Sequence, residues 1–399
     1  MKILVLNSGS SSVKYQLFEM NDSAQVIAKG LIERINLKNS KITHIVNETK
    51  KAEIAEDIPN HKTAIKKLFE HILVDPGTGV IHDLAEIEGI GHRVVHGGEK
   101  FHASVIINDD VLHAIKDCCD LAPLHNPPNL LGIEACKEIM PDTPQVAVFD
   151  TAFHQTMPKK AFIYGLPYEQ YLKYGVRRYG FHGTSHQYVA TEALKLLDKH
   201  EGDTRIITCH LGNGCSLTAL VNGKSIDTSM GFTPMEGVLM GTRCGDMDPS
   251  IVLYMMEKEN HTLDDVTTIL NKKSGLFGLS GKSDMRDVLA AMEKKDELAK
   301  NAVDVFVYRI VKYIGAYSAA MNGVDAIVFT AGMGEKNAYL RKRILNHFGY
   351  LGITVDEEKN EANALVITKE DSQLKVFVIP TNEELVIAED TYALIKERA

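Results

Sequence analysis

The sequence has few cysteines and no long apolar segment. Its six cysteines form no Cys-x-x-Cys pair: Cys118, Cys119, Cys136, Cys209, Cys215 and Cys244. After Lys2, only Ile3–Leu6 is apolar before Asn7, whereas an export signal needs about 7–15 apolar residues. No stretch approaches the roughly 20 apolar residues that span a bilayer. We therefore expect a cytoplasmic protein with reduced thiols, no structural disulfide and no membrane contact.

Positive charge is not in excess either. The 399 residues include 44 lysines and arginines against 53 aspartates and glutamates, which gives a formal net charge of −9. This balance argues against a nucleic-acid-binding protein with a broad basic face. The composition, 44% hydrophobic and 24% charged, is typical of a globular protein with a sizeable core. The length suggests two or three domains, most simply two.

Short apolar runs alternate with helical patterns along the chain. The runs at Ile3–Leu6 and Val13–Phe18 predict strand, turn and strand over residues 2–20. Apolar residues at helical spacing predict helices over 60–74 and 303–314. Other strand-like runs are Gly89–Val95, Gln145–Phe149, Arg205–Cys209, Ala326–Phe329 and Leu374–Ile379. This mixture predicts α/β lobes.

Three pairs of segments repeat in the same order. The pairs are Lys2–Gly9 with Arg205–Gly212, Gly89–Gly98 with Ala326–Gly334, and Gln145–Asp150 with Lys375–Pro380. A single match is weak because a strand followed by a glycine is common, but three in one order indicate a duplicated fold. Two similar lobes that face each other would form a cleft.

Glycine-rich turns follow three predicted strands, at Asn7–Lys14, His210–Gly214 and Ala331–Glu335. Glycines allow close backbone approach, and serines with Lys14 can bind an anion, so the turns suit phosphates. Ordinary tight turns are the alternative. A P-loop is excluded, because Gly281-Lys282-Ser283 and Gly223-Lys224-Ser225 lack the glycine five residues earlier.

Two arginines lie in apolar or glycine-rich surroundings, where a planar guanidinium can bind a carboxylate or phosphate through two hydrogen bonds. Arg93 ends a strand in His92–Gly98, and Arg243 lies in the loop Gly241–Asp246. A surface position or a structural ion pair is the alternative for each. His125 precedes a predicted helix start, where a capping role is the alternative to a catalytic one.

His182 and His186 are four residues apart, which invites a zinc interpretation. No Glu follows His182 as in His-Glu-x-x-His and no third ligand is evident, so we expect no zinc and take His186 as an exposed or packing histidine. Asp150, Glu383 and Glu384 follow strands, where carboxylates suit Mg²⁺. Helix capping is the alternative for the two glutamates.

Seven blocks, in order along essentially the whole chain, closely resemble the acetate kinase family. The blocks are Asn7–Lys14, His92–Gly98, Leu124–Pro128, Phe181–His186, His210–Gly214, Met240–Asp246 and Pro380–Glu384. The resemblance implies an α/β, duplicated actin-like (ribonuclease H-like) fold of two lobes with a cleft between them. It implies a first lobe of 1–150 with a C-terminal helix of about 386–399, and a second lobe of 151–385 that binds nucleotide and forms a homodimer.

The resemblance also implies roles for matching residues. The implied catalytic residues are Arg93, His125, Asp150, His182 and Arg243. The implied acetate pocket is Arg93, Val95, Leu124, Phe181 and Pro234. The implied nucleotide-binding residues are Ser12, Lys14, His210, Leu211, Gly212, Asn213, Gly214, Asp284, Met285, Arg286, Ala331, Gly332, Met333, Gly334 and Glu335. Mg²⁺, with Mn²⁺ as a substitute, would bind Asn7 and Glu383, with Glu384 left open as the alternative to Glu383.

The implied reaction is the reversible, direct in-line transfer of the γ-phosphoryl group of ATP to acetate, which gives acetyl phosphate and ADP. A kinase for propionate or another short-chain acid is the nearest alternative, because one methylene is worth only about 1–3 kcal/mol in an apolar pocket. A non-kinase ATPase of the same fold is a more distant one, and it gives no reason for Arg93 and Arg243 together.

Overall fold

The computed structural model describes residues 1–21, 23–47, 50–77, 79–197 and 202–398. The chain divides into two units, Met1–Phe153 together with Asn382–Ala399, and His154–Thr381. The strands are β1 (Lys2–Ser8), β2 (Ser12–Met20), β3 (Ala24–Glu33), β4 (Lys41–Val46), β5 (Lys50–Ala55), β6 (Ile87–Val94), β7 (Val105–Ile106), β8 (Gln145–Phe149), β9 (Arg205–Leu211), β10 (Cys215–Val221), β11 (Lys224–Thr228), β12 (Ala326–Thr330) and β13 (Lys375–Val378).

Helices connect and cover the strands of both units. They are α1 (His61–Lys67), α2 (Asp109–Asp117), α3 (Asn126–Ile139), α4 (Lys159–Phe162), α5 (Tyr168–Tyr174), α6 (Gly183–Leu196), α7 (Ser250–Glu259), α8 (Leu263–Lys272), α9 (Gly275–Ser280), α10 (Met285–Glu293), α11 (Glu297–Ala320), α12 (Ala331–Lys336), α13 (Ala338–Leu345), α14 (Glu357–Glu361) and α15 (Glu383–Arg398). Within the described ranges, none of these helices has the length and apolarity needed to cross a bilayer.

The first unit is built on one mixed sheet in the order β5-β4-β3-β2-β1-β6-β8-β7. Leu4 and Leu6 of β1 pack on one face with residues of α1 and α3, whereas Ile3 and Val5 pack on the other face with α15. Because β1 is buried on both faces, its sequence is a continuous apolar run rather than an alternating one. The predicted strand, turn and strand over residues 2–20 are confirmed as antiparallel β1 and β2.

Helix α15 packs closely on β6 of the same unit. A Cβ atom on Gly91 would lie 2.5 Å from Thr391 Oγ1 and 2.6 Å from Ile387 Cγ2, so only glycine allows this approach. The Asn382 side chain caps α15 by accepting a hydrogen bond from the Leu385 N–H at 3.2 Å. The helix therefore begins at Glu383, slightly before the expected start at about 386, and its cap is Asn382 rather than either glutamate, both of which lie in the first turn.

The second unit is built on a smaller sheet in the order β11-β10-β9-β12-β13. Every residue of β12 and all but Arg205 of β9 are buried. The helix predicted over 303–314 is confirmed as part of α11, which buries Val303, Phe306 and Ile310.

The two sheets repeat one topology in the described residues. In the first unit, β3, β2 and β1 are antiparallel neighbours, and β6 and β8 follow in parallel. In the second, β11, β10 and β9 are antiparallel, and β12 and β13 follow in parallel. The three predicted segment pairs correspond to β1 with β9, β6 with β12, and β8 with β13. The duplicated fold is confirmed.

The segment after β12 differs from the prediction. Ala331–Glu335 is not a tight turn but the start of α12, with the last strand residue, Thr330, at the helix cap position. Ala331 has φ 62°, in the left-handed region that residues other than glycine rarely adopt. This one residue reverses the chain from strand to helix, which glycine-rich composition alone did not distinguish from a turn.

Candidate active site

The first unit holds Arg93 against a buried carboxylate. Nε and Nη2 of Arg93 donate hydrogen bonds to Oδ1 and Oδ2 of Asp150, at 3.0 and 2.6 Å. Arg93 lies near the end of β6 and Asp150 follows β8, its parallel neighbour, so the fold brings both to one sheet edge. The Asp150 side chain is 1% exposed and that of Arg93 is 21% exposed. The guanidinium is therefore held from one side and accessible from another.

Two further carboxylates lie at the start of α15. Glu383 Oε2 is 3.8 Å from Arg93 Nε, and Glu384 forms an ion pair with Lys14. Burial raises the pKa of Glu383; Arg93 lowers it, while Asp150 and Glu384 raise it. Burial lowers the pKa of Arg93, but Asp150 and Glu383 together outweigh it and the pKa is raised. Negative charge thus accumulates around one arginine.

The turn between β1 and β2 presents backbone and polar side chains. The Gly9 N–H donates to the Ser12 carbonyl at 2.8 Å, and His61 Nε2 donates to the Gly9 carbonyl at 2.5 Å. Asn7 is the cross-strand partner of Lys14. The predicted metal ligand Asn7 therefore lies beside the predicted phosphate-binding Lys14 on the adjacent strand.

The Leu124–Pro128 block leads into α3, with His125 at its cap position. Asn126 Oδ1 accepts from the His96 N–H at 3.0 Å, and Asn129 Oδ1 accepts from the Val95 N–H at 3.1 Å. These buried asparagines fix the backbone just after Arg93, and sequence reasoning missed them. Their signal was two asparagines three residues apart at a helix start. Val95 is buried, whereas Leu124 is 46% exposed.

In the second unit, Arg243 and His182 converge beside Gly214. A Cβ atom on Gly214 would lie 2.7 Å from Arg243 Nη2 and 3.4 Å from His182 Nε2. Arg243 Nη1 donates to the Pro234 carbonyl at 2.5 Å. In the described part of the chain, no carboxylate pairs with Arg243, and burial lowers its pKa. Among the residues that the structure describes, this half-buried cation therefore has no compensating carboxylate.

His182 adopts φ 55° immediately before α6. Its Nδ1 lies 2.8 Å from Ser216 Oγ, and its ring stacks on His210 with centroids 4.1 Å apart. His210 Nδ1 lies 2.8 Å from Ser185 Oγ. The left-handed conformation, which histidine tolerates better than most residues, ends the Phe181 segment and directs the imidazole towards Gly214.

His186 is fully buried behind His182, so the packing alternative is confirmed and the exposed one is wrong. Its Nε2 lies 2.7 Å from Ser216 Oγ, and its Nδ1 lies 2.7 Å from Thr208 Oγ1. Burial, followed by His154 and His210, lowers the pKa of His186 well below its usual value. Among the described side chains, no group of three or more His, Cys, Asp or Glu forms a potential metal site.

A cavity of about 550 Å³ in the second unit collects predicted nucleotide-binding residues. Those that line it are Gly212, Asn213, Asp284, Met285, Arg286, Gly332 and Met333. Ser283, Lys336 and Asn337 also line the cavity, and sequence reasoning missed them. Asp284 caps α10, and hydrogen bonds from Arg286 lower the pKa of Asp284 to about 2.

Other predicted nucleotide-binding residues do not line this cavity. The Leu211 side chain is buried in the core, and the Gly334 carbonyl accepts a hydrogen bond from Arg341 Nη1 at 2.8 Å. Arg341 is fully buried and also binds the Glu335 carbonyl at 2.9 Å. It therefore fixes the last turn of α12, beneath the residues that reach the cavity.

Comparison of the sequence with known proteins identifies the family. A sequence profile described as "Acetokinase family" matches residues 2–389. The chain is 55% identical over 397 residues to a protein named acetate kinase from Carboxydothermus hydrogenoformans, and the match covers 99% of each chain.

Solved structures give the same result. The crystal structure of Porphyromonas gingivalis acetate kinase is 45% identical with a TM-score of 0.93, and covers 99% of both chains. A structure described as a propionate kinase from Francisella tularensis is also 45% identical, with a TM-score of 0.92, over 98% of this chain and 99% of its own. The chain belongs to the acetokinase family.

Proposed function

We propose that this protein transfers the γ-phosphoryl group of ATP to acetate, reversibly and in line, to give acetyl phosphate and ADP. The observation that carries the proposal is Arg243, a half-buried cation without a carboxylate partner in the described residues, beside the imidazole of His182. In the transition state of phosphoryl transfer, negative charge is spread over the equatorial oxygens, and fixed hydrogen-bond donors stabilise that charge. Arg243 and His182 supply such donors, and His125 assists.

Arg93 binds the acetate carboxylate in this proposal. Acetate is already ionised and needs no general base, but it must approach a polyanion. Two unit charges about 4 Å apart repel by roughly 4 kcal/mol at an effective dielectric of 20. Asp150 is engaged by the Arg93 guanidinium, so its role is to orient that arginine. Val95, Leu124, Phe181 and Pro234 contact the methyl group.

ATP occupies the cavity of about 550 Å³, a size that suits a nucleotide. Asp284–Arg286 hold the ribose and adenine, while Gly212, Asn213, Gly332 and Met333, which line the same cavity, contact the phosphates. Ser12 and Lys14 supply further donors for phosphate oxygens. We also propose that the protein acts in the cytoplasm, because the transfer uses free ATP.

Oxygen donors on β1 and at the start of α15 fit Mg²⁺. This ion prefers oxygen ligands and keeps water and substrate phosphates in its shell. The Asn7 amide and the Glu383 carboxylate supply such oxygens, and burial raises the pKa of Glu383, as expected of a carboxylate that lacks full charge compensation. Glu384 forms a close ion pair with Lys14, whereas Glu383 Oε2 is 3.8 Å from Arg93 Nε, and this looser contact favours Glu383 as the ligand. When bound, Mg²⁺ or Mn²⁺ would neutralise phosphate charge.

Propionate is the alternative acyl substrate, since the acetate kinase and propionate kinase structures are each 45% identical to this chain. The test is a hydroxamate assay of acyl phosphate with acetate, propionate and butyrate at several concentrations. We expect the highest kcat/KM with acetate. A higher value with propionate would reassign the substrate, and ATP hydrolysis without any acyl phosphate would overturn the kinase function.

We also propose a homodimer formed through the second unit. Exposed apolar side chains on α5 and α7 support it, with Leu172 and Leu253 each 69% exposed and Tyr254 61% exposed. Light scattering after size exclusion should give twice the chain mass, and Leu253→Lys should shift the mass towards the monomer. A wild-type protein that is monomeric at micromolar concentration would contradict this interface.

A further inference from the structure

Three polar side chains, Ser216, His186 and Thr208, form a chain of hydrogen bonds that starts at His182. Ser216 Oγ lies between His182 Nδ1 at 2.8 Å and His186 Nε2 at 2.7 Å. Beyond it, His186 Nδ1 lies 2.7 Å from Thr208 Oγ1. His186, Ser216 and Thr208 are each 0% exposed. None of the three has a role in the reaction as proposed above.

The hydrogen bonds of this chain can be donated in two arrangements. Ser216 has one hydroxyl proton, and a neutral His186 has one N–H and one acceptor nitrogen. His186 stays neutral because burial, with His154 and His210 nearby, lowers its pKa well below the usual value. A third arrangement, in which both histidines donate to Ser216 Oγ, would leave its buried hydroxyl proton without an acceptor among the described residues, and such an unpaired buried donor is costly. Each member therefore donates in one direction and accepts from the other, and all members point the same way.

The two arrangements give His182 opposite properties. If the protons point towards His182, Thr208 donates to His186, His186 Nε2 donates to Ser216, and Ser216 donates to His182 Nδ1. The proton of a neutral His182 is then on Nε2, the nitrogen beside Gly214. If the protons point away, Nδ1 of His182 donates to Ser216, and Nε2 of the neutral ring carries a lone pair.

Only the first arrangement gives a neutral His182 that donates beside Gly214. A phosphoryl oxygen accepts hydrogen bonds, so a lone pair on Nε2 would repel it. A cationic His182 would stand beside the Arg243 guanidinium and stack on His210, with the neutral His186 behind it. A second positive charge at a half-buried position beside an arginine is unfavourable.

We infer that Thr208, His186 and Ser216 are positioning residues that hold the proton of a neutral His182 on Nε2 and fix its ring for phosphoryl transfer. The inference rests on the proposed function, because it requires His182 to donate a hydrogen bond to an oxygen of the transferred phosphoryl group. It adds three buried residues that touch neither substrate, and it states which nitrogen of His182 carries hydrogen.

The direct test is nitrogen NMR on the wild-type protein labelled with ¹⁵N-histidine at pH 7.5. Loss of one pair of signals in His182→Gln assigns the ring. We expect Nε2 of His182 to be protonated and Nδ1 to be unprotonated. A proton on Nδ1, alone or together with Nε2, overturns the inference. Acyl phosphate formation is assayed on the same sample, so a failure of the proposed function is seen separately.

A kinetic test uses two matched serines. Ser216→Ala removes the contact with His182, whereas Ser225→Ala removes a comparable buried contact with His154 Nδ1, at 2.9 Å, in the same unit. We expect Ser216→Ala to lower kcat about tenfold with KM for ATP and acetate within twofold, and Ser225→Ala to keep kcat within twofold. Equal losses in both, or a normal kcat in Ser216→Ala, overturn the inference. If Ser216→Ala does not fold, the NMR result decides.

Discussion

Arg93 and Asp150 share two hydrogen bonds, Nε to Oδ1 at 3.0 Å and Nη2 to Oδ2 at 2.6 Å. Both carboxylate oxygens of Asp150 are thereby engaged by one guanidinium, and the carboxylate is 1% exposed. An acceptor used in this way is poorly placed to remove a proton from a substrate. In the proposed reaction the nucleophile is already ionised, and the role that we propose for Asp150 is to fix the direction of the arginine.

Asp150→Asn should lower kcat/KM for acetate at least about tenfold and leave KM for ATP within twofold. The asparagine keeps one acceptor oxygen but places an NH₂ group against the second guanidinium donor and removes the charge. Arg93 then loses its fixed direction and binds acetate less well. Initial rates at varied acetate and saturating ATP measure the effect.

Asp390→Asn is the matched control for that change. Asp390 is a carboxylate of the same unit that accepts a hydrogen bond from Ser104 Oγ at 2.5 Å and has a pKa raised by burial. We expect its kcat/KM to remain within twofold of wild type. Normal acetate kinetics in Asp150→Asn would show that Arg93 needs no such orientation.

Gly214→Ala should lower kcat about tenfold or more without unfolding the protein. The new Cβ would meet Arg243 Nη2 at 2.7 Å, so the guanidinium must move, and it would touch His182 Nε2 at 3.4 Å. Misplacement of a transition-state donor by about 1 Å is costly in rate. Steady-state kcat and Tm are measured together.

Gly315→Ala provides the comparison, because a Cβ there meets nothing within 4 Å and the residue lies inside α11. Alanine favours a helix over glycine by roughly 0.5–1 kcal/mol, so Tm should rise slightly with kcat unchanged. If Gly214→Ala retained wild-type kcat, the positions of Arg243 and His182 beside Gly214 would not contribute to catalysis.

Stability should fall in mild acid through His92. This histidine is buried, its Nε2 donates to Gln145 Oε1 at 2.8 Å, and burial lowers its pKa to about 4 from an ordinary 6.5. Between these values the unfolded chain binds a proton that the folded chain does not, so stability is lost as pH falls below about 6.5. At pH 5 the loss from this residue is about 2 kcal/mol.

The measurement is Tm at pH 7.5 and 5.0 for wild type and His92→Gln. The variant has no imidazole at this position, whereas every other histidine is common to both proteins. Its Tm should fall less between the two pH values than that of wild type. An equal fall would mean that His92 does not titrate differently in the folded and unfolded chain.

Most of the fold could be predicted from the sequence because strand periodicity survives tertiary packing. The runs at Ile3–Leu6, Gln145–Phe149 and Ala326–Phe329 all lie in strands, and the repeated order revealed the duplication. The start of α12 could not be predicted, because Ala331 adopts a left-handed conformation that no local preference of alanine favours. Tertiary context imposes it.

The sequence predicted which arginines belong to the candidate site but not what each of them contacts. Arg93 and Arg243 stood out by their surroundings, but sequence could not tell that one is paired with a carboxylate and the other is not, within the described chain. That difference depends on contacts between distant residues. Ser216 acts through two hydrogen bonds to histidines far along the chain, and no local sequence pattern marks it.

The most direct test of the account is the rate of ATP-dependent acetyl phosphate formation by Arg243→Ala. We predict that kcat falls at least about 10², which is roughly 2.7 kcal/mol of lost transition-state stabilisation. Arg343→Ala, which removes an arginine paired with Asp304 at 2.7 Å in the same unit, should stay within twofold. A folded Arg243→Ala variant that keeps kcat within about threefold of wild type would contradict the claim that this cation stabilises the transferred phosphoryl group.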